Sequence, residues 1–174
     1  MDDDASEPPS SNDDEPGREP IARFDLIDPA GLLSRAQRDA VRRRVGEALR
    51  EIGRGGEVRV RIVDDAEMSS AHARYKNTPG TTDVLTFDLS EGGVLDTDLL
   101  VCLDEARRRA DEMDHPPEHE LILYIIHGVL HCVGFDDATP ADADAMHREE
   151  DRILSAIGLG PVFARGRGVG GGRP

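Results

Sequence analysis

His127 and His131 stand four residues apart within HGVLHCVGFDD, residues 127–137 of the chain. On a helix that spacing puts both imidazoles on one face, where they can converge on one metal ion. The residues around them, among them Leu121, Ile122, Ile125, Ile126, Val129 and Leu130, are apolar on nearly every side, which marks a buried helix. Two polar rings inside such a helix need partners, and a metal is a good one. The bland alternative is a pair of core histidines bonded to carbonyls or carboxylates, the commoner outcome for a bare His-x-x-x-His pair. Two features shift the balance. Gly128 sits mid-helix, at a loss of about 1 kcal/mol relative to alanine, so a substrate or another backbone should approach closely there. Gly134 ends the helix and lets Phe135, Asp136 and Asp137 fold back, so that Asp137 can complete a three-ligand site. Three protein ligands and one open position is the catalytic zinc arrangement, whereas structural zinc usually has four ligands.

The pattern differs from the metallopeptidase motif His-Glu-x-x-His, whose glutamate is the general base. Here that position is Gly128, which moves no proton. Proteolysis is disfavoured on that ground.

At these residues the sequence resembles the YbeY family of bacterial endoribonucleases, also described as rRNA maturation factors. The family signature is His-Gly-x-Leu-His-Leu-x-Gly-Tyr-Asp-His, and this chain reads His-Gly-Val-Leu-His-Cys-Val-Gly-Phe-Asp-Asp. Val63-Asp64-Asp65 ahead of a helix, then Thr82-Asp83-Val84-Leu85-Thr86-Phe87, look like the family's VDDEEI…PTDVLSF region. The segment LLVCL at 99–103 and the Met146…Glu149-Glu150…Ile153-Leu154 helix follow in the expected order, so the likeness spans residues 21–162.

The resemblance implies a mixed sheet packed with helices, one zinc-like ion held by three residues, and cleavage of single-stranded RNA. It further implies work on the 3′ end of the small-subunit rRNA and in ribosome quality control, with small-subunit proteins as possible partners. Matched by position, His127 and His131 are the first two metal ligands. Asp137 stands where the family usually has a third histidine, with Asp136 the fallback if the loop is offset by one. Aspartate oxygen is a competent zinc donor at ~2.0–2.2 Å, though its charge should make the metal a weaker Lewis acid. The family also has an arginine thought to be catalytic, ahead of the Thr-Asp-Val-Leu segment. Counting back lands on Lys76, while an insertion of two residues gives Arg74; Arg74 is preferred because a guanidinium fork matches phosphate.

Phosphodiester cleavage suits this set. The metal would polarise a phosphoryl oxygen, the cation would meet charge building on the phosphorus oxygens, and an RNA 2′-hydroxyl can serve as internal nucleophile. Two rivals follow: a non-catalytic, metal-stabilised ribosome assembly factor, and a metallohydrolase with another substrate.

The elements that must position these residues are readable in outline. Residues 22–27 alternate as a short strand; Ser34 and Gln37 form a capping box for a helix over 35–52, stopped by Gly53. Residues 57–63 alternate strictly, with Arg59 and Arg61 on a wet or ligand-facing side. A helix from Asp64-Asp65 to about Tyr75, strands over 83–89 and 99–103, and three closing helices complete the pattern. The fold class is therefore α+β, a mixed α/β sandwich of about four strands and about five helices, with the metal site on a buried central helix.

The net charge is −15, of which residues 1–20 carry −7 with eight acids against Arg18. That segment has too little apolar surface to offset the entropy of ordering it and reads as a disordered tail. Residues 164–174 (ARGRGVGGGRP) read as a flexible Gly/Arg-rich tail, leaving 21–163 as one domain. Acidity argues against a general nucleic-acid coat, and nine arginines between Arg35 and Arg61 read first as a solvated helix face. Cys102 and Cys132 show no disulfide or zinc-finger spacing. No signal peptide or membrane span is expected, and the cytoplasm is the expected location. Cys132 is expected to point away from the ligand face and to pack, and His72, His115, His119 and His147 to hold no metal.

Overall fold

A computed structural model describes residues 21–162 of the chain; the two predicted tails, 1–20 and 164–174, lie outside the described residues. Four strands and five helices alternate as β1 (Arg23–Ile27), α1 (Arg35–Ile52), β2 (Gly56–Val63), α2 (Asp65–Lys76), β3 (Val84–Asp88), β4 (Leu95–Cys102), α3 (Leu103–Met113), α4 (Pro117–Cys132) and α5 (Pro140–Ala156). The sheet order is β1-β2-β4-β3. The first two pairs are parallel, and β3 runs antiparallel to β4, Leu85 facing Leu100. This is the expected α+β fold with a mixed sheet.

Strand alternation divides the core. Val58, Val60 and Ile62 of β2 and Leu95, Leu99 and Val101 of β4 join the main cluster with α1, α4 and α5. Val63, Leu85 and Cys102 belong to a smaller cluster under α2 with Met68 and Ala71. Because side chains alternate along a strand, the two clusters lie on opposite faces of one sheet.

Local signals explain the helix ends. The Ser34 hydroxyl accepts from the Gln37 N–H while Ser34 N–H donates to Gln37 Oε1 at 2.9 Å, a closed capping box. Asp64 caps α2 by accepting from Glu67 N at 2.8 Å, and Thr139 caps α5.

Helix α4 is the centre of the molecule. Ten of its sixteen residues are buried, from Glu120 to Leu130, as its all-round apolar sequence requires. At Gly128 the helix lies tight against the sheet: an added Cβ would meet Leu99 Cδ2 at 2.7 Å and Thr86 Oγ1 at 2.8 Å. The neighbours that need the glycine are thus two side chains of β4 and β3, where a substrate or another backbone was expected. Among the described residues, no helix is long and apolar enough to cross a membrane.

Candidate metal centre

The two histidines lie in the last turns of α4, and the chain is then reversed over them. Val133 N–H donates to Val129 O, Gly134 takes a φ of +103°, and Phe135 N–H reaches back to Leu130 O at 3.0 Å. A side chain at that φ is strained, so glycine is what permits the reversal. The turn delivers the Phe135 carbonyl to His131 Nδ1 at 3.1 Å. It also brings Asp137 beside both rings, Oδ2 3.8 Å from His127 Nε2 and Oδ1 4.0 Å from His131 Nε2.

The other side of His127 is held from α5. Its Nδ1 lies 2.8 Å from Glu150 Oε1, and Glu150 is wholly buried. Both Nδ1 atoms face oxygen atoms, an arrangement that suits the tautomer with the proton on Nδ1 and a lone pair on Nε2. Those two Nε2 atoms are 3.1 Å apart, with the rings edge to face. Two lone pairs at that distance repel unless a proton or a metal cation lies between them. Ligands about 2.0 Å from a common tetrahedral ion sit about 3.3 Å apart, close to this spacing. His127, His131 and Asp137 form, among the described residues, the one cluster of three or more His, Cys, Asp or Glu side chains whose ligand atoms all lie within 4.8 Å of one another. Two imidazole nitrogens and a carboxylate fit a divalent cation such as zinc. Asp136 turns elsewhere, its Oδ1 accepting from Asp137 N–H at 2.8 Å.

Burial works against a charged His127 ring, but the bond to Glu150 and the charges of Glu150, Asp83 and Asp137 outweigh it and raise its pKa. Two hollows meet at Asp83 and His127. One, about 400 Å³, is lined by Lys76, Thr86, Asp88, His127, His131 and Cys132 among others. The second, about 460 Å³, runs past Thr81, Tyr124, Glu120, His147 and Glu150.

The predicted cation divides between two residues of α2. Lys76 lines the hollow at the histidines, whereas the exposed Arg74 guanidinium lies 5.4 Å from the Tyr75 ring centroid. Cys132 packs against the main core, as expected, with its thiol directed at Thr97 Oγ1 and Gly128 O, each at 3.4 Å, while it also lines the hollow of the two histidines. One helical step from His131 does not carry it off a cleft this broad. Burial pushes its pKa up, which keeps it a thiol. Of the other histidines, His72 bonds Gly80 O, His115 sits beside Glu120, and His147 lines the second hollow.

Glu150 is the residue at the candidate site that the sequence pattern did not single out. The signal was present: a carboxylate stands in the buried stripe formed by Met146, Ile153 and Leu154.

Comparison with known proteins agrees with the fold and the motif. The family model Endoribonuclease YbeY matches residues 33–158. The chain is 37% identical over 114 residues to Endoribonuclease YbeY of Halorhodospira halophila, covering 62% of this chain and 74% of that protein. It is 34% identical over 143 residues to the protein of the same name from Verminephrobacter eiseniae, covering 82% and 90%. The solution structure of TM1509 from Thermotoga maritima shares the fold, with a TM-score of 0.58 at 21% identity over 87% of this chain and 98% of that one.

Proposed function

The chain belongs to the YbeY endoribonuclease family, and we propose that it is a single-strand-specific, metal-dependent endoribonuclease that matures the 3′ end of the small-subunit rRNA and serves ribosome quality control. The observation that carries the metal dependence is the meeting of His127 Nε2 and His131 Nε2 at 3.1 Å beside the Asp137 carboxylate. In this reading residues 21–163 form the catalytic domain, flanked by an acidic tail (1–20) and a Gly/Arg-rich tail (164–174), and the enzyme works in the cytoplasm with small-subunit proteins as partners.

His127, His131 and Asp137 would hold one zinc ion. When an ion is bound there, the chemistry it supplies is Lewis acidity toward a phosphoryl oxygen. The chain's own residues bind and orient the RNA. The broad hollow over the histidines admits an unpaired strand, and Lys76 on its wall would meet the phosphate charge. What supports Lys76 over Arg74 is that Arg74 is turned onto Tyr75. Gly128 offers no general base beside His127, so the proton lost by the attacking group, an RNA 2′-hydroxyl or a water, must be accepted by a group outside the motif.

Cleavage of one labelled RNA as a single strand and as a duplex, with and without chelator, tests the reading. Chelator-sensitive cutting confined to the single strand is expected. Equal cutting of both forms would remove the strand specificity, and chelator-resistant cutting would remove the metal.

A further inference from the structure

We propose that Glu150 is a positioning residue that fixes the tautomer of His127 and so prepares the metal centre; this rests on the metal-centre reading above. Helix α5 turns Met146, Glu150, Ile153 and Leu154 into the core, and each is no more than 1% exposed. Three of the four are apolar. At the remaining position, a leucine or methionine would suit the stripe, yet the chain places a carboxylate.

For stability alone that choice is poor. One oxygen, Oε2, is buried with no hydrogen-bond partner. A buried carboxylate half satisfied is a loss that an apolar side chain of similar size would remove. The gain must come from the other oxygen, Oε1, which lies 2.8 Å from His127 Nδ1. A carboxylate only accepts, so it keeps the proton on Nδ1 and leaves the Nε2 lone pair facing His131 and Asp137. A free neutral imidazole has no such fixed choice. With the proton on Nε2 instead, His127 could not serve as a ligand from that atom.

The two histidines are held differently. His131 takes its orientation from the Phe135 carbonyl, on the same turn that carries Asp137. His127 is tied across 23 residues of sequence to a different helix. Glu150 thus anchors the first ligand independently of the loop that brings the third.

The test uses the full-length, metal-free protein with Glu150→Gln and Glu150→Leu. It reads the ring ¹⁵N shifts of His127, zinc binding by competition with a chromophoric chelator, and the denaturation midpoint without metal. Read at a pH where the rings are neutral, wild type should hold the Nδ1–H form. Glu150→Leu should populate the Nε2–H form and bind zinc about 10–100-fold more weakly, with a midpoint unchanged or higher. Glu150→Gln, which keeps an acceptor oxygen, should fall between. Unaltered ring shifts and zinc affinity in Glu150→Leu would overturn the proposal, as would a lower midpoint with affinity intact, which marks a merely structural residue. If Glu150→Leu does not fold, Glu150→Gln decides: wild-type shifts with wild-type affinity overturn it. Should wild type bind no zinc, the metal-centre reading fails, and the ring shifts still decide whether Glu150 sets the tautomer.

Discussion

Gly128 and Leu99 meet where α4 crosses β4, and a Cβ on the glycine would stand 2.7 Å from Leu99 Cδ2. The contact lies one residue from His127, so the packing that seats the helix also sets the height of the first ligand above the sheet.

Gly128→Ala should therefore destabilise the protein although alanine is the better helix former. Overpacking a core costs typically about 1–3 kcal/mol, against a helix gain of about 1 kcal/mol. A net loss of about 1 kcal/mol should appear as a lower urea midpoint. A midpoint at or above wild type would mean that Leu99 and Thr86 move aside freely.

Asp137 and Asp136 are neighbours in sequence with different surroundings. Only Asp137 faces both imidazoles, while Asp136 accepts from the backbone. Asp137→Ala should weaken zinc binding by more than Asp136→Ala, because only the first removes an atom that would ligate the ion. Asp137→His should retain binding. Loss in Asp136→Ala with little change in Asp137→Ala would shift the third ligand by one residue.

The cation is settled by a second pair. Lys76→Ala should lower the rate of RNA cleavage about tenfold or more, because a preorganised positive charge near the phosphate is lost. Arg74→Ala should stay within about twofold. The reverse order would give the role to Arg74.

Asp28 governs a pH dependence of stability away from the site. Burial of its carboxyl raises the pKa, but the Leu33 and Leu32 N–H groups, at 3.0 and 2.8 Å, and Arg38 together bring it below the ordinary value. A depressed carboxylate contributes its stability in full above the unfolded-state value and loses it as pH falls through the folded value. The advantage of wild type over Asp28→Asn in urea should thus be largest near neutrality and shrink as pH drops below about 4. A gap that stays constant down to strong acid would mean the carboxylate charge is not what matters.

The sequence carried most of the scaffold because the helix ends are chemically marked. Ser34 with Gln37 and Gly53 bound α1 at the residues where it starts and stops. Strand β4 was legible only in its apolar half, 99–102. Its first half, Leu95-Asp96-Thr97-Asp98, carries two aspartates, a residue type depleted in strands. Those aspartates are held by Arg59 of the adjacent strand β2, a cross-strand pairing invisible to a local pattern. The histidine pair and the carboxylate after the turn were legible from spacing. Glu150 and the inward reach of Cys132 were not, because each depends on how α4 meets a distant element.

Metal-dependent RNA cleavage at His127 and His131 is tested by cutting of a labelled single-stranded RNA by wild type and by His131→Ala, purified identically, with and without chelator. Wild type should cut, and both the substitution and the chelator should abolish cutting. Equal cutting by the two preparations would contradict it, and cutting by neither would favour a binding role in ribosome assembly.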